Sequence, residues 1–200
     1  MSTTLTVAVV QQPAWPDKAQ SLSASEEGIR SAAKQGAQLV LLQELHATHY
    51  FCQFEDPALF DLAEPLDGPT GQHLAALAKE LDPTAIGWDP NDDGEEKSRQ
   101  KDAWTVIQRA HGVANGLPVL VANRVGFEAD HSGVGDGIQF WGGSFVCGPQ
   151  GELLAHAGEE TEQLVVQLDM ARSENTRRIW PYLRDRRVDA YGDLTRRYRD

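Results

Sequence analysis

Apolar positions run in short continuous blocks separated by longer stretches with helical spacing. Residues 5–10 (LTVAVV) form a β-branched run closed by Gln11-Gln12-Pro13, the pattern of a strand buried on both faces. Residues 21–35 place Leu22, Ile29 and Ala32–Ala33 at helical intervals, and Gly36 follows as a stop. Residues 37–42 (AQLVLL) are again continuously apolar, so the first 40 or so residues predict a βαβ unit with parallel strands.

The same spacing predicts a second helix over 70–81, with Thr70 as N-cap and Leu74, Leu77, Ala78 and Leu81 on one face. It runs without a connecting loop into residues 84–87 (TAIG), the end of a strand, and then into the acidic stretch WDPNDDGEE. Only Asp82 and Pro83 separate helix from strand, an abrupt junction for two elements of different period. A third helix over 95–115 ends at Gly116, and residues 118–123 (PVLVAN) predict a buried strand. Residues 144–147 and 152–155 flank Gly148-Pro149-Gln150-Gly151 as a hairpin, and 163–169 alternate as a last strand.

Charge narrows the partners. The net charge of −12 over 200 residues argues against nucleic acid and anionic membrane surfaces. Residues 172–200 hold nine arginines against five acids, an excess of four positive charges that leaves −16 on residues 1–171. A basic tail on an acidic body fits docking within a homo-oligomer. Two cysteines, Cys52 and Cys147, make no disulfide framework, no apolar run approaches a membrane span, and the N-terminus has no leader pattern. The expectation is a cytoplasmic protein with a natural N-terminus and no membrane partner.

The most pointed chemistry lies in Leu41-Leu42-Gln43-Glu44-Leu45-His46, where a carboxylate stands at the C-terminal end of a buried strand. Ligands of open α/β sheets bind at that edge, and a carboxylate against an apolar core suits general-base work. The bland alternative is a capping or ion-paired glutamate. His46 and His49 lie close by without metal-ligand spacing, so no metal and no other cofactor is expected. The acids at 89, 92 and 93 lack calcium-loop alternation, and the glycines at 133, 135 and 137 follow no strand. Cys52 and Cys147 sit in apolar contexts typical of buried small side chains.

VAVVQQP, QLVLLQELHATHYFCQ, PTAIGWDPND, DAWTVIQRAHGVANGLPVLVANRVG, FWGGSFVCGPQGELLA and RIWPYLRDRRVDAYGDL follow one another in an order that resembles a carbon–nitrogen hydrolase of the nitrilase superfamily. The resemblance implies an αββα sandwich and a Glu-Lys-Cys triad acting on a small amide or carbamoyl substrate. The glutamate is base, the lysine stabilises the oxyanion, and the cysteine forms a thioester.

Glu44 falls on the glutamate position. Lys18, Lys34, Lys79, Lys97 and Lys101 do not match the lysine context, and both cysteines match ordinary positions. The helix before Asp82 and the strand after Pro83 are separated in the family by a block carrying the lysine, the cysteine and central strands. The chain therefore reads as one internally truncated α/β domain, a partial αββα sandwich. Its parts are 1–82, 83–171 and the arginine-rich tail 172–200, which by resemblance packs across a subunit interface. Tyr50 and Trp88 follow strand ends that should border the pocket and are candidate substrate contacts; core or loop packing is the plain alternative. Two readings stay open: a hydrolase whose central block is missing from the sequence as written, and a non-catalytic, internally deleted form that serves in assembly or binding.

Overall fold

In the computed structural model, which describes residues 4–51, 62, 64–65, 68–71, 86–130, 135–190 and 192, the first apolar run forms β1 (Thr4–Gln11). Helix α1 (Lys18–Lys34) follows, and β2 (Leu39–Leu41) returns parallel to β1, with Val7 opposite Leu39 and Val9 opposite Leu41. This is the expected βαβ unit. The helix starts before its first apolar residue because Asp17 caps it, its carboxylate accepting from the Ala19 N–H at 2.9 Å. Gly36, at φ +85°, takes the left-handed conformation that ends a helix.

The last strand adds an antiparallel partner to this parallel pair. β9 (Glu162–Asp169) lies antiparallel along the whole of β1, from Thr4 opposite Asp169 to Gln11 opposite Glu162. Leu164 and Leu168 are buried between the sheets, and Val165 packs toward α1.

A second sheet holds β4 (Val119–Val121), β7 (Phe145–Cys147) and β8 (Leu153–His156) in the order β4-β7-β8, all antiparallel. Its β7–β8 turn is the expected Gly-Pro-Gln-Gly hairpin. A third sheet was not anticipated. It joins β3 (Gly87–Trp88), β5 (Val125–Glu128) and β6 (Ile138–Trp141) in the order β3-β6-β5, and its strands carry too few consecutive apolar residues to stand out.

The alternation along β1 sets the layers. Ala8 and Val10 face α1, packing with Ile29, Ala32, Val40 and Leu42. Val7 and Val9 face the other way and, with Leu41, meet Ala122, Val146, Leu164 and Leu168 between the sheets. Helix α2 (Gly94–Asn115) covers the far side of the β4-β7-β8 sheet, where Trp104 packs with Val121, Trp141, Phe145 and Cys147. Helix, sheet, sheet and helix are thus stacked as an αββα sandwich. Each fully buried valine contributes about 1.5–3 kcal/mol over exposure. Close packing also explains Gly28 inside α1: a Cβ there would stand 2.6 Å from Val10 Cγ1.

Helix α2 begins at Asp93, whose carboxylate accepts from the Glu96 N–H at 2.8 Å, and ends at Gly116 with φ +60°. Helix α3 (Met170–Ile179) was not predicted, since its sequence has no apolar stripe; Asp169 caps it and only Ser173 and Thr176 are buried. Thr70 is not the N-cap of its helix. Pro69, Thr70 and Gly71 are already helical, so Pro69 takes the first turn, where its missing N–H costs nothing. The rest of that predicted helix and the Asp82–Pro83 junction lie outside the described residues.

Candidate active site around Glu44

Because β1 and β2 are parallel, their C-terminal ends bring Gln11, Gln12, Gln43 and Glu44 to one edge. The three glutamines are buried and tie the edge together. The Gln12 N–H donates to Gln43 Oε1 at 2.9 Å, and the Ser144 N–H donates to Gln11 Oε1 at 2.9 Å, linking the two sheets. Gln12 Nε2 donates to Ser25 Oγ at 2.9 Å, Ser25 Oγ donates to the Ser21 carbonyl at 3.0 Å, and His46 Nδ1 lies 3.2 Å from Ser25 Oγ. Ser25 Oγ thus sits between the Gln12 amide, the Ser21 carbonyl and the His46 ring. Burial, reinforced by the positive charges of Arg124 and Lys18, lowers the His46 pKa from 6.5 to about 4.

Glu44 opens the loop that leaves β2 and is half-buried. The next residue, Leu45, has φ +51°, a left-handed backbone that branched side chains rarely adopt. Holding this turn is Arg124, which has no exposed surface. Its Nη2 donates to the carbonyl oxygens of Leu45 and Thr48, and its Nη1 donates to Glu128 Oε1 at 2.7 Å. Glu128 Oε2 in turn accepts from the Tyr50 N–H at 2.5 Å. Burial lowers the Arg124 pKa, and the carboxylates of Glu128 and then Glu44 act against that shift, so Glu44 is within electrostatic reach of the guanidinium. The Arg124 Cζ stands 5.5 Å from the Phe140 ring centroid and 6.0 Å from that of Tyr50.

Tyr50 therefore shares one network with the Glu44 loop, packing edge-on against Phe140 at 5.3 Å. Trp88 does not join it. Its ring packs on Trp141 at 5.0 Å, its Nε1 donates to the Lys97 carbonyl at 2.9 Å, and Lys101 Nζ lies 5.7 Å above it. Phe140 and Trp141 are neighbours on β6 and point to opposite faces, so Tyr50 and Trp88 sit on opposite sides of that strand. Cys147 is fully buried in the aromatic cluster under α2, and burial pushes its thiol pKa up. Cys52 lies outside the described residues. Arg124, Glu128 and Asn123 escaped the sequence reading. The available signal was NRVGFE, a four-residue Arg–Glu spacing in an otherwise apolar, strand-forming stretch. Asn123 joins three elements, its Nδ2 donating to the Ile86 and Gly142 carbonyls at 3.0 and 2.9 Å, while the Ile86 N–H donates to its Oδ1 at 3.0 Å.

Comparison with known proteins places this arrangement. An N-carbamoylputrescine amidase of Solanum lycopersicum is 26% identical over 283 residues, covering 94% of this chain and 93% of that protein. That alignment is longer than the 200-residue chain, so more than a quarter of its positions have no residue here. A citrullinase of Francisella tularensis is 33% identical over 121 residues, covering 59% of this chain and 40% of that protein. The crystal structure of a carbon-nitrogen hydrolase from Helicobacter pylori G27 superposes with a TM-score of 0.90 and 29% identity, over 98% of this chain and 99% of that one. The carbon-nitrogen hydrolase family model matches residues 6–88 and 89–178, and with the layers and sheet edge described above the chain belongs to that amidase-containing family of the nitrilase superfamily.

Proposed function

We propose that the chemistry of this site is hydrolysis of a linear carbamoyl amide, N-carbamoylputrescine and water giving putrescine, carbon dioxide and ammonia, with Glu44 as general base, and that the 200-residue chain alone does not complete it. The observation that carries the second half is the position of Cys147. A thioester route needs a thiolate beside the base, and Cys147 is enclosed in β7 with its thiol pushed away from ionisation. The described lysines near aromatic or acidic groups are engaged: Lys101 with Glu159 at 3.0 Å, Lys97 with the Pro90 carbonyl at 3.2 Å, and Lys18 with Glu64. The alignment with the tomato amidase, 283 positions against 200 residues, supports the same reading.

The test is ammonia release from N-carbamoylputrescine by the purified chain, with intact mass measured on the same sample. No release is expected from a species near 22.0 kDa. Release from that species would overturn the proposal, whereas release only from a heavier species, abolished by Glu44→Gln and kept in Cys52→Ala with Cys147→Ala, would place the nucleophile outside these 200 residues.

The surface supports a second role, subunit assembly. Ile179, Trp180, Tyr182, Leu183 and Val188 are exposed among the arginines that follow α3, and Trp180 stacks on Tyr182 at 6.2 Å. A basic, apolar tail beside a body of opposite charge suits self-association. Sedimentation at micromolar concentration should show an oligomer that Ile179→Asp weakens, and a monomer in the unaltered chain would reject this role.

A further inference from the structure

Arg124 is a fully buried cation, and burying a guanidinium is unfavourable unless its donors find partners. The partners here belong to one place. Both Nη2 contacts are carbonyls of the loop after Glu44, from Leu45 and Thr48, and the carboxylate that neutralises the charge, Glu128, also holds the Tyr50 N–H at the far end of the loop. Leu45 is the described non-glycine residue with a positive φ, and its carbonyl is one of the two that Arg124 grips. Glu44 immediately precedes it, so the turn at Leu45 fixes how the chain runs on from Glu44. Arg124 and Glu128 come from the β4–β5 connection and from β5, in a different part of the chain from the loop they hold.

We propose that Arg124, braced by Glu128, is the positioning residue of the Glu44 loop, locking Leu45 in its left-handed turn and so fixing the catalytic carboxylate at the sheet edge. A planar guanidinium can donate in one plane to two carbonyls and a carboxylate; a lysine ammonium offers a point charge with no such fork. The network is also graded. Glu128 has two oxygens with separate duties, Oε1 for Arg124 and Oε2 for Tyr50, so neutralising it should loosen the Tyr50 end before the Leu45 end. The inference rests on reading Glu44 as the carboxylate of the site. Its test needs no turnover, so its failure is separable from a failure of the ammonia assay.

The experiment is nuclear magnetic resonance on the isotope-labelled full chain and on Arg124→Lys, Arg124→Met and Glu128→Gln. The HN–Hα coupling and Cα/Cβ shifts of Leu45 report its left-handed turn, and amide exchange reports the loop. In Arg124→Lys the Leu45 signature should disappear, and the Tyr50 amide should exchange about tenfold faster or more, as for loss of a hydrogen bond to a charged group. The β1 amides of Val7 to Val10 should keep their protection. Glu128→Gln should keep the Leu45 signature and accelerate Tyr50. If Arg124→Met fails to fold, the other two variants decide. Retention of the Leu45 signature in Arg124→Lys would overturn the proposal, because the loop would then hold itself. Equal acceleration throughout β1 would overturn it too, because Arg124 would then support the fold at large.

Discussion

Acid should weaken this fold in part through His46. His46 is buried at the site edge, its Nδ1 facing Ser25, with Arg124 and Lys18 adding positive charge to its surroundings. Its folded pKa of about 4, against an ordinary 6.5, means that the unfolded chain takes up a proton first as the pH falls. The stabilisation is fully present above about pH 6.5, declines through the interval, and is gone at about pH 4. That difference corresponds to roughly 3 kcal/mol, a large share of a typical domain's stability. The assay is urea denaturation followed by tryptophan fluorescence at half-unit steps from pH 7.5 to 4, on the unaltered chain and on His46→Gln. The glutamine keeps a hydrogen-bonding group toward Ser25 and cannot titrate. Glu96, held low first by Gln100 and then by Arg99, and Asp189, held low by Arg187, contribute equally in both chains and cancel. The two stability curves should converge by roughly 3 kcal/mol between pH 7 and 4. Parallel curves through that window would refute the assignment of His46 as a buried neutral imidazole.

Other consequences follow from packing and caps. Gly28→Ala gains about 1 kcal/mol of helix propensity but drives a methyl into Val10, a clash of roughly 1–3 kcal/mol, so net destabilisation in a thermal melt is expected. Asp93→Ala should cost about 1 kcal/mol by removing the α2 cap, and Asp93→Asn should restore most of it. Asn123→Leu should cost roughly 2–4 kcal/mol, measured by urea denaturation, because it strips three hydrogen bonds joining β4, β6 and the segment at Ile86. The Cys147 thiol should resist iodoacetamide at pH 8 in the folded chain and react on unfolding, as quantified by peptide mass spectrometry.

Legibility along the sequence followed burial. β1 and β2 are apolar on both faces and stand out as continuous runs, and α1 and α2 carry Gly36 and Gly116 as stops, so these elements were readable with small shifts at their starts. β5 and β6 were not, since VGFE and IQFW interleave small, polar and aromatic residues whose partners lie in a third sheet. The direction of β9 was hidden as well, because alternation reveals a half-covered strand but does not say whether its partner runs with it or against it. At the site, strand-end position pointed to Glu44, and Tyr50 came with its loop. Trp88 lies on the other side of β6, where its ring packs on Trp141 and its Nε1 donates to the Lys97 carbonyl of α2. Arg124 was invisible for a physical reason: an arginine in sequence reads as surface, and only its carbonyl and carboxylate partners, drawn from distant segments, make its burial tolerable.

The same contacts bear on how the chain holds together across the abrupt junction at Asp82–Pro83. β1 belongs to the segment before it and β9 to the segment after it, yet all eight residues of β1 pair with β9. Gln11 reaches across to accept from the Ser144 N–H, and its Nε2 donates to the Gly158 and Glu160 carbonyls at 3.2 and 2.6 Å. Arg124 then ties the Glu44 loop to β5. These bonds run directly between residues 4–51 and 86–190. Gln11, Arg124 and Glu128 therefore order the Glu44 edge through contacts made between these two segments.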